Sequence, residues 1–144
     1  SGSKKAYNDL DYVSLQTTSG NLTQYYRNYH LSSSISTNNS THTLGEIPML
    51  GAGVYLVKYY LSLRENTSPP TLIGYSETNY IIRSDGGGTS PAIEQTTPID
   101  QFATPGLTNN PVATPVTNGL QLRSQGTVGA SIQHTGWAIV TYSN

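Results

Sequence analysis

The chain has 144 residues, of which 10% are charged, and its formal net charge is -1. This length suits one domain with its own hydrophobic core. The near-neutral charge leaves no basic patch to hold a phosphate backbone, which argues against nucleic acid as a partner. No apolar run approaches the roughly 20 residues that span a bilayer, so we expect no membrane insertion. The sequence has no cysteine, which excludes disulfides and thiolate chemistry.

The polar character of the chain comes from serine, threonine and asparagine rather than from charge. Such a composition could accompany disorder, but disordered chains have few aromatic residues. This sequence has eleven tyrosines, one tryptophan and one phenylalanine. We therefore expect a folded, β-rich domain whose serine, threonine and asparagine residues lie in loops and on the outer faces of strands.

The N-terminal part of the chain divides into short segments. Residues 1–6 begin with Ser-Gly-Ser and are interpreted as a cloning remnant or as a linker from an upstream shaft. Residues 7–144 are interpreted as a single domain. Within it, apolar and aromatic runs predict strands over residues 7–15 and 22–31. Residues 32–43 are almost wholly serine, threonine and asparagine, which predicts a loop or a weak exposed strand.

The clearest pattern in the chain is an alternation over residues 53–64. One set of alternate positions is wholly apolar or aromatic and comprises Tyr55, Val57, Tyr59, Leu61 and Leu63. The other set becomes polar along its length and comprises Val54, Leu56, Lys58, Tyr60, Ser62 and Arg64. A period of two predicts a β-strand with the first set in the core.

Turn signals divide the following part of the chain. A Glu-Asn-Thr-Ser-Pro-Pro run predicts a hairpin to a second strand over residues 71–83, with a bulge at Gly74. Residues 89–117 carry five of the eight prolines and are predicted as an irregular exposed loop that carries binding specificity. An Asn-Gly pair at 118–119 predicts a type I′ hairpin turn. Alternation over residues 127–133 predicts a further strand.

The C-terminal segment, residues 136–142, is apolar on both faces. We expect its large side chains, Trp137 and Ile139, to lie in the core beside the apolar set of residues 53–64. The alternate positions would then point outward, and a surface so apolar is typical of a subunit interface. The predicted homotrimer interface comprises Val54, Leu56, Tyr60, Ala138 and Val140. Lys58 lies within this surface and would need a partner or water at its rim.

Together these segments amount to seven to nine short strands, with no convincing helix. The predicted fold is all-β. It is an antiparallel β-sandwich with a jelly-roll or immunoglobulin-like topology.

Two stretches resemble the signature of the TNF/C1q-like jelly roll. The Ile-Pro pair at 47–48, followed by Gly-Val-Tyr-Leu-Val at 53–57, is similar to the family's proline, turn and Gly-x-Tyr strand. The Gly-Trp-Ala-Ile-Val run at 136–140 is similar to the family's last strand. The resemblance implies a compact homotrimer with the first and last strands adjacent in the inner sheet. In its polar, cysteine-free composition the chain also resembles the trimeric heads of viral and phage spikes and fibres. Residues 89–117 have no counterpart in the family's pattern.

Few residues could support catalysis or metal binding. The three histidines, His30, His42 and His134, lack metal-ligand spacing, so we expect no metal and no cofactor. Asp9 and Asp11 lie on one face of a predicted strand and are interpreted as solvated acids. There is no Gly-x-Ser-x-Gly motif. The sequence therefore predicts that the protein is not an enzyme.

Three neighbouring tyrosines, Tyr25, Tyr26 and Tyr29, allow two interpretations. They could form an aromatic platform for sugar, since tyrosine brings a large contact area and a polar tip. They could also pack across the strands of an ordinary sheet, which is the more common arrangement.

The leading hypothesis is the trimeric head domain of a viral or phage spike or fibre, located on the virion surface. It would serve host attachment or vertex architecture by binding a host-surface receptor or glycan and other virion proteins. The alternative is a monomeric carbohydrate-binding or adhesin sandwich of a bacterial surface protein, secreted or at the cell surface. A glycan hydrolase is the third hypothesis. A trimer in solution would favour the first hypothesis and a monomer the second.

Overall fold

The computed structural model describes residues 14–19 and 22–144, which form ten β-strands. The strands are β1 (Ser14–Ser19), β2 (Leu22–His30), β3 (Ser34–Ser36), β4 (Thr41–Pro48), β5 (Gly53–Glu65), β6 (Ile73–Ser84), β7 (Ala92–Ala103), β8 (Pro111–Val116), β9 (Gly119–Gln125) and β10 (Ile132–Ser143). In this part of the chain there is no helix, and so none long and apolar enough to cross a membrane. The predicted all-β class is confirmed. The predicted linker 1–6, most of the predicted strand over 7–15, and the acids Asp9 and Asp11 lie outside the described residues.

The strands form two sheets in which every described pairing is antiparallel. The large sheet has the order β1-β2-β10-β5-β6-β7, and β3 pairs with the beginning of β10. The small sheet has the order β4-β9-β8. Three consecutive strands, β5, β6 and β7, are neighbours in one sheet, which is a meander rather than a Greek key. The structure is therefore consistent with a β-sandwich, and the TNF/C1q-like jelly roll is not confirmed.

The core lies between the two sheets. From the small sheet it receives Leu44, Ile47, Leu120 and Leu122, all fully buried. From β5 it receives Tyr55, Val57, Tyr59, Leu61 and Leu63, which confirms the predicted parity of that strand. The Tyr59 hydroxyl also crosses the core and donates a hydrogen bond to the carbonyl oxygen of Arg123, at 3.0 Å. This bond satisfies a buried phenol and ties the large sheet to the small one.

The predicted hairpins are confirmed. β5 pairs with β6 along its whole length, from Gly53 opposite Ser84 to Arg64 opposite Ile73. Asn118 has a φ of 65°, and its turn joins β8 to β9 as the Asn-Gly pair predicts. The bulge predicted at Gly74 is wrong, because the β5–β6 register runs through that residue without a shift. Leu107 packs over Gly74 instead, and an added Cβ there would lie 2.6 Å from Leu107 Cδ2.

The irregular loop predicted over residues 89–117 is wrong in its main part. Residues 92–103 form β7 and residues 111–116 form β8, and each lies at the edge of its described sheet. Three of the five prolines in the segment lie within these two strands, namely Pro98, Pro111 and Pro115. An edge strand tolerates proline because half of its backbone donors face away from the ladder.

The strand predicted over residues 127–133 begins later than expected. Residues 127–131 form a turn, in which Gly129 has a φ of 75° and Val128 is 74% exposed. β10 begins at Ile132, whose side chain is fully buried. The alternation of small apolar residues before it is therefore not a sheet pattern.

Candidate functional site: the outer face of the large sheet

The outer face of the large sheet is the side turned away from the small sheet. Successive residues of a strand point to opposite faces, so the β5 residues that alternate with the buried ones must point outward. They include several large apolar side chains: Val54 and Leu56 on β5 are 45% and 46% exposed, Ile81 on β6 is 38% exposed, and Trp137 on β10 is 37% exposed. Neighbouring apolar side chains of this size on one face make a surface suited to contact with another molecule.

The structure separates the five residues of the predicted trimer interface. Val54, Leu56 and Tyr60 lie on the outer face, as predicted. Ala138 and Val140 do not, because both are fully buried in the core. They lie opposite Tyr59 and Val57 in the β5–β10 register, and residues paired across a ladder share a face.

The prediction of which β10 residues lie in the core is therefore wrong, because the two faces of the strand are exchanged. Trp137 and Ile139, expected inside, lie on the outer face opposite Tyr60 and Lys58. Trp137 stacks on Tyr60, with ring centroids 5.1 Å apart and planes inclined by 12°. One face of the indole is thus covered by Tyr60, and this stack divides the outer face into two halves.

The half over β5, β6 and β7 contains a hollow of about 270 Å³, which we call the apolar hollow. It is lined by Leu56, Val57, Lys58, Asn79, Tyr80, Ile81 and Thr97, and almost all of the exposed lining is apolar. Lys58 makes no ion pair within the described residues. The hollow therefore combines an apolar floor with one cation at its edge.

Two carboxylates lie on the same face, further along β6 and β7. Glu77 and Asp100 are directly paired in the β6–β7 register, where like charges destabilise a sheet. Tyr75 and Phe102 form the next outward pair, and Phe102 is 55% exposed. Partial burial raises the pKa of the Tyr75 phenol, and the nearby charge of Glu77 raises this pKa further. We call these four residues the acidic edge.

The half over β2 and β10 contains a second and larger hollow of about 520 Å³, which we call the Trp137 groove. It is lined by Tyr26, Asn28, Tyr29, His30, Trp137 and Ile139, and its exposed lining is polar and apolar in similar shares. Among the described residues, the Oδ1 atom of Asn28 is buried and has no hydrogen-bond partner. Sequence reasoning missed this groove because it assigned Trp137 to the core.

The three neighbouring tyrosines of β2 do not form a sugar platform. Tyr29 is buried in the core, and Tyr25 stacks on Tyr142 at a centroid distance of 4.9 Å. The Arg27 guanidinium lies 3.8 Å from the centre of the Tyr25 ring. Only Tyr26 points to the outer face, where it lines the Trp137 groove. For Tyr25 and Tyr29, packing within the sheet is the correct interpretation.

The predicted histidines do not converge on the outer face. His30 lines the Trp137 groove, whereas His134 is fully buried between the sheets. His134 Nε2 lies 2.8 Å from Ser36 Oγ, and its Nδ1 lies 2.7 Å from Ser124 Oγ. Burial lowers the pKa of His134 to about 4, and the nearby ring of His42 contributes in the same direction. Across residues 14–19 and 22–144, no group of three histidine or acidic side chains is placed to hold a metal ion.

Comparisons with known proteins add little to this geometry. No protein-family model matches the chain, and no curated protein matches it. Among solved structures, one similar chain is the tailspike protein of Acinetobacter baumannii phage AM24, with a TM-score of 0.40 and 13% sequence identity. The match covers 84% of this chain and 26% of the tailspike chain, so this chain spans about a quarter of the tailspike's length.

Proposed function

We propose that this chain is a non-enzymatic head domain of a viral or phage spike or fibre, and that it forms a homotrimer through the outer face of its large sheet. The threefold stoichiometry comes from the resemblance of residues 47–48, 53–57 and 136–140 to the TNF/C1q-like jelly roll. The virion setting comes from the resemblance of the polar, cysteine-free composition to viral and phage spike heads. The exposed apolar side chains of the outer face support the choice of contact surface. The observation that carries the proposal is the exposed apolar surface formed by Val54, Leu56 and Ile81 around the apolar hollow.

Two parts of the outer face complement each other. The apolar hollow offers an apolar floor and the cation of Lys58, whereas the acidic edge offers the exposed Phe102 and two carboxylates. If the hollow of one copy receives the acidic edge of the next, Phe102 is removed from water. Lys58 then pairs with Glu77 or Asp100, which relieves the repulsion between the two acids.

Such a contact joins different surfaces of neighbouring copies, and three of these contacts close into a ring with threefold symmetry. A closed ring covers every hollow. In a spike, the ring would present its remaining surfaces to a host receptor or glycan and to other virion proteins. The role would be host attachment or vertex architecture.

The proposal is tested by charged substitutions in the apolar hollow. The double variant Leu56→Asp/Ile81→Asp should sediment as a monomer and keep the β-sheet circular dichroism of the unmodified chain, because both side chains are exposed. Val128→Asp is the matched control, since Val128 is an exposed apolar residue in a turn away from this face. A double variant that still forms trimers would contradict the proposed contact.

A charge exchange tests the pairing itself. Lys58→Glu alone should weaken the trimer, and so should Glu77→Lys/Asp100→Lys, because each change places like charges against each other. Combining all three changes restores opposite charges and should restore the trimer. If the combined variant forms no more trimer than either set of changes alone, Lys58 does not face these acids in the assembly.

A further inference from the structure

We infer that the Trp137 groove is a binding site for a neutral sugar residue of a glycan. The site is separate from the apolar hollow, since it lies over β2 and β10, on the other side of the Trp137–Tyr60 stack. The inference therefore holds whether or not the chain forms trimers. At about 520 Å³ the groove is within the range of roughly 300–1,000 Å³ that is usual for small-molecule sites.

Trp137 supplies the aromatic surface of the site. Tyr60 on β5 covers one face of the indole, so the opposite face is turned toward β2 and borders the groove. The stack also holds the ring in a fixed orientation before any ligand arrives. Sugar rings present a face of C–H groups, whose weakly positive hydrogens pack on the negative face of an aromatic ring. A preoriented indole reduces the entropy lost on binding.

Asn28 supplies the polar contact. Its Oδ1 atom is buried without a partner among the described residues, and its side chain lines the groove. A buried acceptor without a partner is unfavourable, and a ligand hydroxyl removes this cost when it donates a hydrogen bond. Tyr26 and His30 add a phenol and an imidazole to the lining, which gives further groups for sugar hydroxyls.

The charge of the lining selects the class of sugar. Of the six described residues that line the groove, none is Asp, Glu, Lys or Arg. Recognition of a sialic or uronic acid carboxylate usually uses the paired donors of arginine. A neutral hexose or N-acetylhexosamine satisfies both the aromatic surface and the amide.

The groove can be tested directly because Trp137 is the only tryptophan in the chain. Its fluorescence should change saturably when the protein is titrated with millimolar methyl glycosides of glucose, galactose, mannose or N-acetylglucosamine. Asn28→Ala should weaken the response by about tenfold, the factor that corresponds to one lost hydrogen bond. Asn79→Ala is the matched control, since Asn79 also has a buried Oδ1 without a described partner but lines the apolar hollow. It should leave the response unchanged.

Three results would overturn the inference: no saturable change with any of the four neutral glycosides, a response confined to methyl glucuronide or methyl sialoside, or a response that Asn28→Ala does not weaken. If Asn28→Ala fails to fold, Tyr26→Ala replaces it, because Tyr26 is exposed on the groove wall. Sedimentation of the same samples reports the oligomeric state separately, so failure of the glycan site and failure of the trimer are distinguishable.

Discussion

Both faces of the large sheet carry large apolar side chains, but their surroundings differ. On the inner face, β5 places Leu61 against the small sheet, where it is fully buried. On the outer face of the same strand, Leu56 is 46% exposed, and no described element covers it. The inner face is explained by the fold of one chain, whereas the outer face has no such explanation. This difference is the basis of the proposal that the outer face contacts other molecules.

β10 repeats the comparison within a single strand. Its inner residues, Ala138 and Val140, are small and closely packed against Tyr59 and Val57. Its outer residues, Trp137 and Ile139, are larger and more exposed. A strand that followed stability alone would place its largest apolar side chains inside. The reverse arrangement at residues 137–140 of β10 is the basis of the proposal that its outer side chains bind another molecule.

The largest expected effect comes from a matched pair of leucines on β5. Leu61→Ala should lower the free energy of unfolding by about 2–5 kcal/mol, because it leaves a cavity between the sheets. Leu56→Ala should change it by less than about 0.5 kcal/mol when the protein is diluted until it is monomeric. Urea denaturation of both variants measures the difference. Equal losses for the two variants would mean that the inner and outer faces are not distinct.

A smaller effect should come from the pH dependence of the inner face. Burial lowers the pKa of His134 from its ordinary value of 6.5 to about 4, so the unfolded chain binds a proton more readily than the folded chain between these values. Stability should therefore be fully present above pH 6.5 and fall as the pH is lowered toward 4. We expect a loss of roughly 2 kcal/mol from this group.

His134→Gln provides the control for this pH dependence. The variant should be less stable at neutral pH, because glutamine cannot reproduce both serine contacts, but its stability should fall less between pH 6.5 and 4. Denaturation curves at several pH values give both slopes. Parallel slopes for the variant and the unmodified chain would assign the pH dependence to other groups.

Sequence reasoning was most reliable where polarity and periodicity agree. β5 has polar residues on only one face, so its parity and the inward position of Leu61 could be predicted. The β5–β6 hairpin and the turn at Asn118 follow from local turn chemistry, which does not depend on the rest of the fold. These elements place three of the five residues predicted for the interface on the outer face, namely Val54, Leu56 and Tyr60.

The errors arose where both faces are apolar or both are polar. In β10, residue size favoured Trp137 for the core, although the polar Thr141 on the same face indicated the opposite parity. In β7, every side chain is at least partly exposed, so no alternation was available to distinguish an edge strand from a loop. The Trp137 groove depends on the pairing of β2 with β10, which joins residues more than 100 positions apart. Local sequence carries no signal for such a contact.

The central claim is that the part of the outer face around the apolar hollow is buried between copies of the chain. Sedimentation velocity of the unmodified protein at micromolar concentration tests this claim most directly. The account predicts a single species with three times the 15.5 kDa mass of the chain. A sample that contains only 15.5 kDa species at that concentration would contradict it.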